Sequence, residues 1–306
     1  MHDSLKNSIF RFIYIFMNFQ TLLLCSLFLV SIPSLSSCQS NTSTEKSVVS
    51  PVVAKASTTS TVSNRDGYNP KYIDSTGSTI EKRFISPDGY ARKRFATNEF
   101  GYFLRQLPLK EMGSLVHYYN GSKKSPKQIY VSVIDLPIGN RDLHQCADAV
   151  MRLRADYLYQ QKRYPEIQFN FLSDGKPRRY LDYSKGDYSR AKYWKYMEYI
   201  FAYANSSSLH DELPVVAAVK DIRIGDTFIQ KGNPIGHAVI VVDLVENEAG
   251  EKLVLLAQSY MPAQEIQVLN NPNDRNLSPW YKLDEEPLLT PEWSFVSDNL
   301  RTWKNR

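Results

Sequence analysis

Cysteine is scarce in this chain. Three thiols in 306 residues, Cys25, Cys38 and Cys146, cannot build the disulfide framework of a small secreted scaffold. Charge of one sign is short as well: 37 basic against 32 acidic residues leave a formal +5. That is not the concentrated basic footprint of a nucleic-acid binder, so no nucleic-acid partner is expected. No HExxH pair, paired CxxC, Walker loop or dinucleotide fingerprint occurs, which leaves metal and nucleotide chemistry without a motif. His210-Asp211-Glu212 comes nearest to a metal set, but adjacent ligands converge poorly on one ion, so no metal and no cofactor are expected. Internal repeats are missing too. What is present is 42% hydrophobic residues, 12% of the chain aromatic, enough for a core and against wholesale disorder.

The first residues carry an address. Lys6 and Arg11 precede an apolar stretch densest from Leu22 to Ile32, which then meets Pro33 and the small-residue patch Leu35-Ser36-Ser37-Cys38. Basic, then apolar, then small is the layout of a secretory signal. A transmembrane anchor over residues 9–32 is the competing reading, against which Asn18, Gln20 and Thr21 interrupt the run. LSSC also resembles the lipobox of bacterial lipoproteins. That resemblance implies cleavage after residue 37, acylation of Cys38 and a lipid-anchored place in the bacterial cell envelope, with the membrane as partner through Cys38. Residues 38–67 read as a flexible tether: half of Ser40–Ser63 is Ser or Thr, and no aromatic occurs between Cys38 and Tyr68. After removal of the signal and acylation of Cys38, Cys146 is the one free thiol.

From 68 to 306 a single domain is expected. Thr97 is the expected cap for a helix over Asn98–Leu107 ended by Pro108, and Leu115–Tyr119 and Gln128–Asp135 read as strands. Leu143, Cys146, Val150, Leu153 and Tyr157 recur at helical steps, predicting a helix over Asp142–Gln161 capped by Asp142 with Gln145. Ile167–Phe171 alternates as a strand, and a second helix is expected over Ser189–Asn205. Further on, Thr227–Gln230, His237–Val245, Leu253–Gln258 and Glu265–Leu269 read as strands. The apolar run HAVIVVDLV marks a central strand covered on both faces. The class is α+β.

One ordering of residues carries chemistry. A thiol in the first turns of a helix, Cys146, is followed much later by Gly225-Asp226 before a short strand. Gly236-His237 then opens a buried strand, and the strand after it ends in Gln258. A cysteine nucleophile needs an imidazole to take its proton, and the imidazole needs a third group to hold its tautomer. This layout resembles the papain-like cysteine peptidases, the NlpC-type cell-wall amidases in particular. The resemblance implies Cys146 as nucleophile, His237 as general base and acid, Gln258 as orienting group and Gln145 as an oxyanion donor. Ser259, Tyr260 and Gln264 are expected to line the same cleft as substrate contacts, held there by the Met261-Pro262 turn. The sequence departs from the pattern in two ways. Gln145-Cys146-Ala147-Asp148 replaces the usual Asp-Cys-Ser context, and a helix beginning after Asp142 puts the thiol one turn late.

Longer strings, among them ISPDGYARKRF, FGYFLRQLPLK, GNRDLHQCADAVMRLRADYLY, LSPWY and TPEWSF, resemble the bacterial family catalogued as domain of unknown function 4846, over roughly Arg83 to Phe295. That family implies an envelope or secreted protein and no particular activity. The leading expectation is a cysteine amidase or peptidase acting on peptidoglycan or other envelope amide bonds. The competing one is a non-catalytic binding or scaffolding lipoprotein, peptidoglycan or glycan being the partner in view. In that reading Cys146 is simply a small buried hydrophobe, in register with Leu143, Val150 and Tyr157.

Overall fold

The computed structural model describes residues 67–305, apart from 126, 233, 234 and 285. The expected signal, Cys38 and the expected tether up to residue 66 lie outside the described residues.

Twelve strands are described, all but four of them in one antiparallel sheet. In chain order they are β1 (Tyr90–Ala91), β2 (Tyr130–Val133), β3 (Gln168–Asn170), β4 (Pro177–Arg179), β5 (Thr227–Gln230) and β6 (His237–Asn247). The remainder are β7 (Lys252–Gln258), β8 (Gln267–Leu269), β9 (Tyr281–Lys282), β10 (Leu288–Leu289), β11 (Ser294–Phe295) and β12 (Leu300–Arg301). The main sheet runs β12-β5-β6-β7-β8-β2, with β1 added to β6 and β9 to β7. β3 with β4, and β10 with β11, form separate two-stranded pairs.

The β-branched run of β6 is the reason it sits in the middle. Ala238, Ile240 and Val242 pack toward the helices, while Val239 and Val241 join a second apolar cluster with Phe228, Leu256 and Phe295. Its pairing with β7 shifts register between Val241 and Asp243. The extra residue flips the alternation, so that Val245 faces the helices and Leu244 the other cluster. The β6–β7 turn closes at Gly250, whose φ of 81° suits a residue without Cβ.

Six α-helices are described: α1 (Ile80–Arg83), α2 (Phe100–Arg105), α3 (Cys146–Gln160), α4 (Tyr180–Ser184), α5 (Arg190–Tyr203) and α6 (Ser206–Glu212). α3 is buried from Cys146 through Leu158 and packs on β6. Ser189 caps α5 through its hydroxyl, as a serine ahead of a helical pattern should. Tyr180, Tyr193 and Tyr196 from α4 and α5 are fully or almost fully buried, whereas Tyr188 and Tyr203 stay exposed. Of these five rings, three are core.

The α+β class holds, and several local expectations change. α2 starts after Glu99 rather than Thr97, because the Glu99 carboxylate takes the Ala96 N–H and bends the chain there. Leu115–Tyr119 is not a strand; only isolated bridges, His117 with Lys123 and Tyr118 with Gln264, form in it. α4 and α6 fall in segments too short for a helical period to register in the sequence.

Candidate functional site

α3 begins at Cys146, not at the residue after Asp142. Gln145 is extended (φ −98°, ψ −163°), and its backbone N–H donates to Asp148 Oδ2 at 3.0 Å, closing the first turn behind it. Asp142 is drawn elsewhere. Its carboxylate accepts the Ala263 N–H at 2.7 Å and the Gln145 side-chain N–H at 3.0 Å, tying the approach to α3 to the loop after β7. The thiol is therefore on the first helical residue, where unpaired N–H groups favour an anion. The backbone N–H groups of Ala147, Ala238 and Cys146 itself face the sulfur and pull toward a thiolate. Burial outweighs them and, with the nearby Asp148 carboxyl, pushes the thiol up to about 12. Cys146 is 5% exposed.

Ala238 follows His237, so the sulfur lies against the first residues of β6. His237 opens that strand and Gln258 closes β7, and antiparallel pairing, with Ile240 opposite Ala257, brings the two ends together. His237 Nε2 lies 2.8 Å from Gln258 Oε1. The ring is fully buried among Tyr260, Trp293 and Phe295, with centroid separations of 4.8, 5.2 and 5.9 Å. Burial first, then the Lys124 ammonium, lowers the imidazole to about 4, against the upward pull of Gln258. Nδ1 has no hydrogen-bond partner among the described residues, so no bond yet joins the ring to the sulfur.

The structure thus brings Cys146, His237, Gln258 and Tyr260 together. Gln145 is half-buried beside them, its amide nitrogen occupied by Asp142. Ser259 and Gln264 are a correction to the expected cleft. The Ser259 side chain is fully buried, its hydroxyl 3.0 Å from the His144 carbonyl and 2.7 Å from that of Gln264. The Gln264 amide is spent on the Pro262 carbonyl and on Gln267. Both brace the loop rather than present a surface, because a polar group this deep must bond within the protein.

Two charged groups escaped the sequence reading. Glu292 Oε2 accepts from Gln258 Nε2 at 2.6 Å and pairs with Lys124 Nζ at 2.6 Å. Lys123-Lys124 reads in sequence as a pair of solvated loop charges, yet Lys124 is 4% exposed and lies over the Tyr260 ring. Nothing local betrays it. Glu292 does sit in TPEWSF, one of the strings that carry the family resemblance, with Trp293 beside it.

Other candidates resolve into structure. The Asp243 carboxylate, fully buried, meets Arg92 at 2.7 Å and Arg105 at 2.6 Å. His210 and Asp211 touch, Nδ1 to Oδ1 at 3.1 Å, but each is held elsewhere as well, His210 Nε2 by the Arg301 guanidinium and Asp211 by Lys231, while Glu212 accepts the Asn170 N–H at 2.7 Å. A cavity of about 600 Å³ opens between α2, α3 and the C-terminal segment, walled by Phe100, Arg105, Arg154, Tyr157, Arg223 and Trp303. None of Cys146, His237 and Gln258 lines it.

A family model described as domain of unknown function (4846) matches residues 80–302. No curated protein and no solved structure matches the chain.

Proposed function

This chain belongs to the family described as domain of unknown function (4846), and from the geometry of its site we propose that it is a cysteine hydrolase of papain-like type, cleaving amide bonds of the bacterial cell envelope. The observation that carries the reading is the convergence of three element ends. The thiol starts α3, the imidazole starts β6 and the amide ends β7, with the His237–Gln258 bond made at 2.8 Å and Nδ1 without a hydrogen-bond partner among the described residues. In the reaction the sulfur attacks the amide carbonyl as its proton passes to Nδ1. The carbon–nitrogen bond then breaks, and Nδ1 returns the proton to the leaving amine. Water, deprotonated by the same nitrogen, splits the thioester and restores the thiol. Both groups are neutral at rest, so proton transfer accompanies attack instead of preceding it. The N–H groups at the start of α3, with the Gln145 amide, are the proposed donors to the oxyanion.

The lipobox-like LSSC supports an envelope location through acylated Cys38, and with it peptidoglycan stem peptides as the substrate class. Muropeptides incubated with the full chain and analysed by mass spectrometry test the chemistry. Cys146→Ala is expected to abolish cleavage while leaving the melting temperature in place, and undiminished cleavage by that variant would end the proposal. Acylation is read separately: a radiolabelled fatty acid should enter the protein and be absent from Cys38→Ala.

A second reading, a binding or scaffolding module, is favoured by one observation, the burial of a thiol pushed up to about 12. It expects iodoacetamide to reach Cys146 only on unfolding, and peptidoglycan retention unaffected by Cys146→Ala.

A further inference from the structure

The proposed site contains a proton whose position its chemistry cannot tolerate on the wrong nitrogen. His237 serves as base toward Cys146 only if Nδ1 is bare, and a glutamine partner does not guarantee that. A primary amide has a donor end and an acceptor end of nearly the same shape, so Gln258 has two orientations that differ mainly in what surrounds it. With its oxygen toward the ring, Nε2 carries the proton. With its nitrogen toward the ring, the proton moves to Nδ1 and the base is lost.

We propose that Glu292, itself anchored by Lys124, is the positioning residue that selects the first orientation. Glu292 Oε2 lies 2.6 Å from Gln258 Nε2. A carboxylate accepts and does not donate, so the amide nitrogen must face it, and Gln258 Oε1 is turned to His237 Nε2 at 2.8 Å. An amide oxygen also only accepts, so Nε2 bears the hydrogen and the lone pair falls on Nδ1. That nitrogen has no partner among the described residues. Lys124 completes the chain. Its Nζ is 2.6 Å from the same Oε2, and it is almost entirely buried, as is Gln258. A buried lysine beside the site would otherwise be an uncompensated charge, so the pair holds the carboxylate in place. The relay thus runs Lys124, Glu292, Gln258, His237, drawing on three segments remote in sequence.

The catalytic meaning of this relay rests on the cysteine-hydrolase reading, but its test does not require turnover. In full chain labelled with ¹⁵N-histidine at pH 7, long-range proton–nitrogen correlation distinguishes a protonated from a bare ring nitrogen. The His237 signal is assigned by its loss in His237→Gln. The wild type is expected to show Nε2 protonated and Nδ1 bare. Glu292→Ala should shift the ring toward the other tautomer, and Glu292→Gln, which still offers an acceptor oxygen, should restore it. Protonation on Nδ1 in the wild type overturns the proposal outright, as does an unchanged tautomer in folded Glu292→Ala. On a cleaved substrate, Glu292→Ala should lose about 10- to 100-fold in kcat with KM little changed, and Glu292→Gln should recover most of it. Absence of cleavage by a wild type whose Nε2 is protonated would remove the hydrolase and leave the relay as found.

Discussion

His144 and His237 are two imidazoles that burial keeps neutral, lowered to about 3 and about 4. An unfolded histidine titrates near 6.5, so as pH falls from 6.5 toward 4 the unfolded chain takes up protons that the folded rings refuse. Stability contributed by these rings is present above 6.5 and is lost on acidification. Glu212 works in the opposite sense, its buried carboxyl raised to about 7, so the informative quantity is a difference between variants. Neither ring nitrogen of His144 makes a hydrogen bond among the described residues, and its edge packs on Phe201. His144→Leu is therefore expected to equal or exceed the wild type in urea midpoint at pH 7. Between pH 6.5 and 4.5 it should lose less than the wild type; a parallel loss would contradict the buried-neutral assignment. At this scale the sequence shows residue types but not their surroundings. The pairing of His237 with Gln258 was legible because the start of β6 and the end of β7 are, and Cys146 only as a position on a helical period, whereas Lys124 looked like any loop lysine until the fold closed over it.

At the scale of the element, the start of α3 decides how the thiol behaves. Asp148 does two things at once: its Oδ2 closes the first turn, and its charge opposes ionisation of Cys146 about half a turn away. Asp148→Asn separates them, because an amide oxygen still accepts the Gln145 N–H. The helix should be kept, with a cost well below the roughly 1 kcal/mol of losing a cap altogether. The thiol pKa should fall, while burial, the larger cause, still holds it above the ordinary cysteine range. The pH dependence of Cys146 alkylation reads this directly, and an unchanged profile would remove Asp148 from the account. Periodicity located α3 and placed Cys146 on its buried face, but not its first residue. A capping pattern is satisfied as well by Asp142 with Gln145 as by Gln145 with Asp148. Only the competing bond from Asp142 to Ala263 chooses between them.

Across the whole molecule, Asp243 joins the centre of the sheet to the segment at Arg92 and to α2 through Arg105. Its carboxylate also accepts the Leu244 N–H at 2.8 Å. Removing one member of a buried ionic cluster leaves the others uncompensated, so Asp243→Asn should destabilise the fold by about 3–5 kcal/mol in urea unfolding. A loss below about 1 kcal/mol would mean that the two guanidinium groups find other partners or solvent.

The amino-acid sequence by itself determined the class of fold and its heavy elements. Apolar residues repeating at steps of two or of three and four can bury a face only as strand or helix, and the run in β6 can only be central. It also carried the family strings and the lipobox-like patch, which are local. The start of α3, the inward turn of Ser259 and Gln264, and the relay from Lys124 to His237 were decided by tertiary structure alone. These depend on which hydrogen-bond partners segments far apart in the chain offer one another once water is excluded, and no local pattern encodes that choice.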